Sequence, residues 1–137
     1  MVGVFLADKS ALEQVRRHHQ VADQVRDLLA ARALAICSVV ALEILYSARS
    51  KQEYDQWSRS LDVQRWLPMT PAAERRALEV QGLLAARGQH RMPVTDLLIA
   101  AVAEVHGATV LHYDRDFERI AEVTGQPTRW IVPAGGA

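Results

Sequence analysis

Hydrophobic and polar positions change period several times along the chain, and each change marks an element. Val2, Val4, Phe5 and Leu6 form a short apolar run that stops at Asp8, which predicts a first strand, and 10–18 follows as a helical segment. Over 21–31, Val21, Val25, Leu28 and Leu29 recur at helical spacing while Asp23, Gln24, Arg26 and Asp27 take the other faces, the pattern of an amphipathic surface helix. The run 34–37 has the length of a buried strand. Ser38 is a candidate N-cap for a helix over 39–48 that is apolar nearly all round.

Residues 50–61 are polar and helical, with Tyr54, Trp57 and Leu61 on one side, and 63–69 reads as a short strand. Thr70 before Pro71 starts a helix whose inward stripe is Ala73, Ala77, Val80 and Leu84, and Gly88 stops it. The turn 88–93 leads into a helix over 95–106 that ends at Gly107. A strand over 109–112, a helix over 116–124 stopped by Gly125, and a last strand over 129–132 complete the order. Short strands separated by helices predict an α/β fold: a short central parallel sheet flanked by helices on both faces, one domain over 1–132, with a loose tail at 133–137.

Composition narrows this picture without changing it. The 137 residues are 50% hydrophobic, enough for a core, and no apolar run approaches the roughly 20 residues that span a bilayer. The start, MVGVFLADKS, reads as a strand and not an export signal, so a cytoplasmic protein without a membrane partner is expected. Cys37 lies alone in an apolar run and fits a reduced, buried small hydrophobe. Sixteen basic and sixteen acidic residues cancel, so any nucleic-acid contact must come from local patches. All basic residues but Lys9 and Lys51 are arginine, a bias that either phosphate contact or genomic base composition would produce.

The candidate chemistry is carboxylate chemistry. In open parallel sheets, functional groups gather beyond the carboxyl ends of the strands. Asp8 directly follows the first strand, Asp114 and Asp116 follow the strand at 109–112, and Asp96 opens a helix in which it is the only charge between Arg91 and Glu104. Glu43 is the only charged residue between Arg32 and Arg49, with Val39, Val40 and Tyr46 as its helical neighbours. Singly, each has a plain alternative: helix capping for Asp96 and Asp114, a buried Glu–Arg pair for Glu43. Jointly, acids gathered in one pocket repel one another unless a cation joins them, and hard oxygen donors without Cys or clustered His select Mg²⁺ or Mn²⁺. The chemistry such a centre suits is phosphodiester hydrolysis.

Four blocks, DKSAL at Asp8, VVALEIL at Glu43, VTDLLIAA at Asp96 and HYDRDFERIA at Asp114 and Asp116, occur in an order and spacing that resembles the PIN-domain ribonucleases, and more narrowly the VapC toxins of bacterial type II toxin–antitoxin pairs. The resemblance implies a metal-dependent endoribonuclease in which Asp8, Glu43, Asp96, Asp114 and Asp116 bind Mg²⁺ or Mn²⁺. It further implies an RNA substrate, a cognate antitoxin partner and a homodimer. Ser10, Thr95 and His112 are candidates for orienting the acids, His112 standing where many PIN domains have Ser or Thr; for Ser10, capping the first helix is an equal alternative. Arg91 and Arg115 flank the acids in sequence and are candidates for phosphate contact. Competing readings are a PIN-type nuclease that is not a toxin and a catalytically inactive binding module of this fold. A haloacid-dehalogenase-type phosphatase would need a second Asp where Ser10 stands, and a receiver domain would need an acidic pair and a strand-end lysine.

Overall fold

A computed structural model describes residues 3–133. Val2 of the expected first strand and 134–137 of the expected tail lie outside the described residues. The elements run β1 (Phe5–Ala7), α1 (Lys9–Leu12), a 3₁₀ turn (Glu13–Arg16), α2 (His19–Ala30), β2 (Leu34–Ile36), α3 (Ser38–Tyr46), α4 (Lys51–Leu61), β3 (Arg65–Trp66), α5 (Pro71–Ala85), α6 (Val94–Val105), β4 (Thr109–His112), α7 (Arg115–Thr124) and β5 (Thr128–Trp130). The five strands form one parallel sheet in the order β3-β2-β1-β4-β5. The chain therefore steps outward from β1 on one side, then crosses to its other side at β4. That reversal opens a crevice at the carboxyl ends of β1 and β4.

Alternation along the central strands sends side chains to both faces. Leu6 and Val110 join the larger core, built with Val40, Ala73, Val80, Leu84, Ile99 and Val102 of α3, α5 and α6. Ala7 and Leu111 point to a smaller core with Ala11 of α1 and Val21 of α2. Helices thus cover both faces, as the two apolar sets in each strand require.

Local signals explain most boundaries. The Thr70 hydroxyl accepts from the Ala73 N–H at 3.2 Å ahead of Pro71, and Ser50 accepts from the Glu53 N–H at 3.1 Å. α7 ends on Gly125, whose φ of 73° lies in the left-handed region that glycine enters without strain. α5 and α6 are joined by a two-pronged ion pair, Arg76 Nε to Glu104 Oε1 at 2.6 Å and Nη2 to Oε2 at 3.1 Å.

Three expectations shift. The helical segment at 10–18 breaks into a single α-turn and a 3₁₀ turn, in which Leu12 and Val15, three residues apart, both pack on the smaller core at 3₁₀ spacing. Ser38 is the first residue of α3 and caps nothing; Cys37 holds the cap position with extended backbone. The helix α3, apolar nearly all round in sequence, is not enclosed: Leu42 is 66% and Tyr46 89% exposed.

Phe117 anchors α7 and is wholly buried. Phe117→Ala should lower unfolding free energy in urea by about 3–5 kcal/mol through loss of burial and a residual cavity, with an unchanged m-value.

Candidate metal centre

Asp8 leaves β1 and occupies the N-cap of α1, where its Oδ2 accepts from the Ser10 N–H at 3.0 Å. The cap of this helix is thus Asp8 itself. The Ser10 hydroxyl instead accepts from the Tyr113 N–H at 2.9 Å, tying α1 to the loop after β4. Asp8 and Asp96 are each about 95% buried, while Glu43, Asp114 and Asp116 are half-buried.

Asp114 caps α7, its Oδ1 accepting from the Asp116 N–H at 2.9 Å. Its own N–H donates to His112 Nδ1 at 3.1 Å. The capping reading of Asp114 is therefore correct and leaves Oδ2 free of that bond. Asp96 behaves differently: the cap position of α6 is Pro93, and Asp96 sits in the first turn with its Oδ2 buried and without a hydrogen-bond partner among the described residues. A buried, unpaired carboxylate oxygen costs several kcal/mol unless a cation or a proton joins it.

Asp96, Asp114 and Asp116 each present a carboxylate oxygen within 4.8 Å of the other two. Asp8 and Glu43 fall outside this tightest group, yet both belong to its electrostatic field. The Asp96 carboxyl is pushed up to about 8, first by burial and then by the charges of Asp8, Asp114, Asp116 and Glu43. Burial and the Asp8 charge also raise Glu43, while Lys9 and the neighbouring Thr95 pull it down. No arginine pairs with Glu43 among the described residues, so the buried Glu–Arg alternative does not apply.

The fit to a divalent cation follows from these facts. Three carboxylates converge, a buried oxygen lacks any protein partner, and every donor is a hard oxygen, the set that suits Mg²⁺ or Mn²⁺.

His112 is wholly buried, with Phe117 and Trp130 rings at 5.3 and 4.8 Å between centroids. Because Nδ1 accepts the Asp114 N–H, the proton of the neutral ring lies on Nε2, which faces Glu118 Oε2 at 3.6 Å. Glu118 in turn accepts from the Thr128 hydroxyl. Burial holds the imidazole below its ordinary value, against the pull of Glu118.

Arg91 and Arg115 are exposed and form no ion pair with the acids among the described residues. The cations next to the cluster are instead Lys9, beside Glu43, and Arg119, whose Nη1 meets Asp116 Oδ1 at 3.1 Å. Arg119 was findable in sequence, lying one helical turn after Asp116; Glu118 and Thr128 carried no local signal.

Residues 5–123 match the family model for the PIN domain. Ribonuclease VapC51 of Mycobacterium tuberculosis is 45% identical to this chain over 131 residues, covering 96% of this chain and 95% of that protein. Ribonuclease VapC18 of the same organism is 44% identical over 135 residues, covering 96% and 98%. Among solved structures, DNA-bound VapBC from Salmonella typhimurium superposes with a TM-score of 0.79 at 19% identity, covering 96% of this chain and 100% of that one. VapBC2 from Rickettsia felis, bound to a promoter DNA fragment, gives 0.77 at 19% identity, covering 93% and 98%. At that identity the superpositions speak for the fold alone.

With metal removed by EDTA, stability should fall as pH rises from about 4 to about 8. In that window folded Asp96 keeps a proton that the unfolded chain gives up, so each pH step favours unfolding, by a few kcal/mol in total. Raised Glu43 adds the same sign; lowered His112 opposes it below its unfolded value of 6.5. In thermal melts, Asp96→Asn should flatten the decline relative to wild type, and Mn²⁺ should raise the wild-type midpoint at pH 8.

Proposed function

Since the chain belongs to the PIN-domain family and, at 45% identity over nearly its whole length, to the VapC ribonucleases within it, we propose that it is a metal-dependent endoribonuclease and the toxin of a toxin–antitoxin pair. The observation that carries the reading is the convergence of Asp96, Asp114 and Asp116 around a buried Asp96 oxygen that no described residue satisfies. Asp8 and Glu43 complete the acidic field.

Asp96, Asp114 and Asp116 would hold Mg²⁺ or Mn²⁺, with Asp8 and Glu43 binding directly or through water. The ion supplies charge compensation for the phosphate oxygens and acidifies the attacking water. On holding the cation Asp96 would be ionised, so that a destabilising buried acid would serve as a ligand. Glu43, half-buried and raised in pKa, is suited to accept the proton of the attacking water, with Thr95 nearby. Ser10 and His112 fix the N–H groups of Tyr113 and Asp114 and so aim Asp114 and Asp116. No residue need become a covalent nucleophile.

The substrate is RNA in the cytoplasm. Arg91 and Arg115, exposed on either side of the acids in sequence, contact its phosphates. No described helix is long and apolar enough to cross a membrane. The partner is a small antitoxin whose segment covers the acidic cluster, in keeping with the VapBC complexes among the structural neighbours. Leu42 and Tyr46, exposed and one helical turn apart on α3, offer an apolar surface suited to a second copy of the chain. An inactive module of the same fold has no need to keep five acids.

Incubation with structured RNAs and Mn²⁺ should produce internal cuts that EDTA abolishes. Asp8→Asn and Asp96→Asn should each slow cutting at least about a hundredfold while remaining folded by circular dichroism. Cutting that persists in EDTA or in both variants would sink the proposal.

A further inference from the structure

A cavity of about 860 Å³ opens between α1 with its 3₁₀ turn and the helices α3 and α4. Its walls are mostly apolar, from Leu12, Val15, Ile44, Leu61 and the half-buried ring of Trp57. Cations surround it: Lys9, Arg16, Arg17 and Arg49 all line it. Glu13 pairs with Lys9 at 3.7 Å and Glu53 with Arg49 at 3.5 Å, whereas Arg16 and Arg17 form no ion pair among the described residues. The rim is therefore positive in a protein whose net charge is zero.

The cavity lies beside the acidic cluster: Lys9 lines it, and the Lys9 charge also acts on Glu43. Asp8 belongs to the cluster and its neighbour Lys9 to the cavity wall; Glu43 belongs to the cluster and Ile44 to the wall. A strand whose phosphodiester lies at the acids would have a neighbouring nucleotide within reach of this opening. An apolar slot with an aromatic wall and a cationic rim suits an unstacked base flanked by phosphates, since the base offers a flat nonpolar face and the phosphates meet the cations. The size lies within the roughly 300–1,000 Å³ of ordinary ligand pockets.

We propose that this cavity is a nucleobase subsite: it receives one unstacked base next to the bond being cut, Trp57 stacks on that base, and Lys9, Arg16 and Arg17 hold the flanking phosphates. The inference rests on the ribonuclease reading above and deepens it.

The test uses an RNA that the wild-type protein cuts with Mn²⁺ and whose cut is mapped. Short substrates then carry an abasic residue at each nucleotide flanking that bond in turn. One position should lower wild-type kcat/KM by about five- to a hundredfold, the usual worth of a stacked base. In Trp57→Leu the same abasic substitution should cost less than about threefold, because the surface it stacked on is gone. Arg16→Ala/Arg17→Ala should raise KM with kcat held and flatten the salt dependence.

An equal abasic loss in wild type and Trp57→Leu overturns the subsite. Should Trp57→Leu lose its cooperative melt, the arginine pair decides, and an unchanged KM there overturns it. Unchanged RNA kinetics together with an altered oligomeric mass, or with lost binding of a partner protein, would assign the cavity to a protein and also overturn it. A wild-type protein that cuts no RNA with Mn²⁺ defeats the ribonuclease reading itself, an outcome distinct from RNA cutting that is indifferent to Trp57 and the arginines.

Discussion

Carboxylates crowded into one poorly solvated pocket repel one another, and the geometry around the crevice is arranged to keep them there. Asp96 bears most of that cost: it is buried, one oxygen has no partner, and four other acids raise its pKa. A parallel sheet tolerates this at one place, the strand-order reversal between β1 and β4, where backbone ends and helix starts face a common opening. The cost makes sense if an ion relieves it, because the same repulsion that destabilises the bare cluster becomes affinity for a divalent cation.

The acids are held by hydrogen bonds from the backbone and by packing away from the opening. Three N–H groups after β4 are taken up by side chains: Tyr113 by Ser10, Asp114 by His112, Asp116 by Asp114. That leaves the turn little freedom to swing its carboxylates apart. Behind it, Phe117 and Trp130 clamp the His112 ring, and Glu118 and Thr128 link α7 to β5. The edge strand β5 therefore acts on the site through a buried imidazole.

Charge on the surface is segregated although it sums to zero. The acids converge in the crevice, and Arg16 and Arg17, without an ion pair among the described residues, stand at the neighbouring cavity. Arg91 and Arg115 lie in the open, while Arg119 pairs with Asp116 and the Lys9 charge acts on Glu43. For a polyanion, this arrangement separates the place that attracts it from the place that acts on its phosphate.

Much of the architecture was legible before any coordinates. Alternation of apolar runs placed β4 at Thr109–His112, and Thr70-Pro71 and Gly125 marked helix ends, because caps, proline and left-handed glycine act over a few residues. Asp96 and Glu43 stood out because a lone charge in an apolar run needs a partner, and Asp8, Asp114 and Asp116 because they follow apolar strands. Sequence could not tell that Ser10 bonds to Tyr113, 103 positions away, that Asp114 caps a helix while Asp96 does not, or that Leu42 and Tyr46 face outward. Nor could it join Trp57 and Arg16 in one cavity. Period and capping are properties of neighbours along the chain, so the sequence determines them alone; which acids share a pocket, and which atom is left without a partner, depends on how distant helices stack on the sheet, and only the tertiary structure decides that.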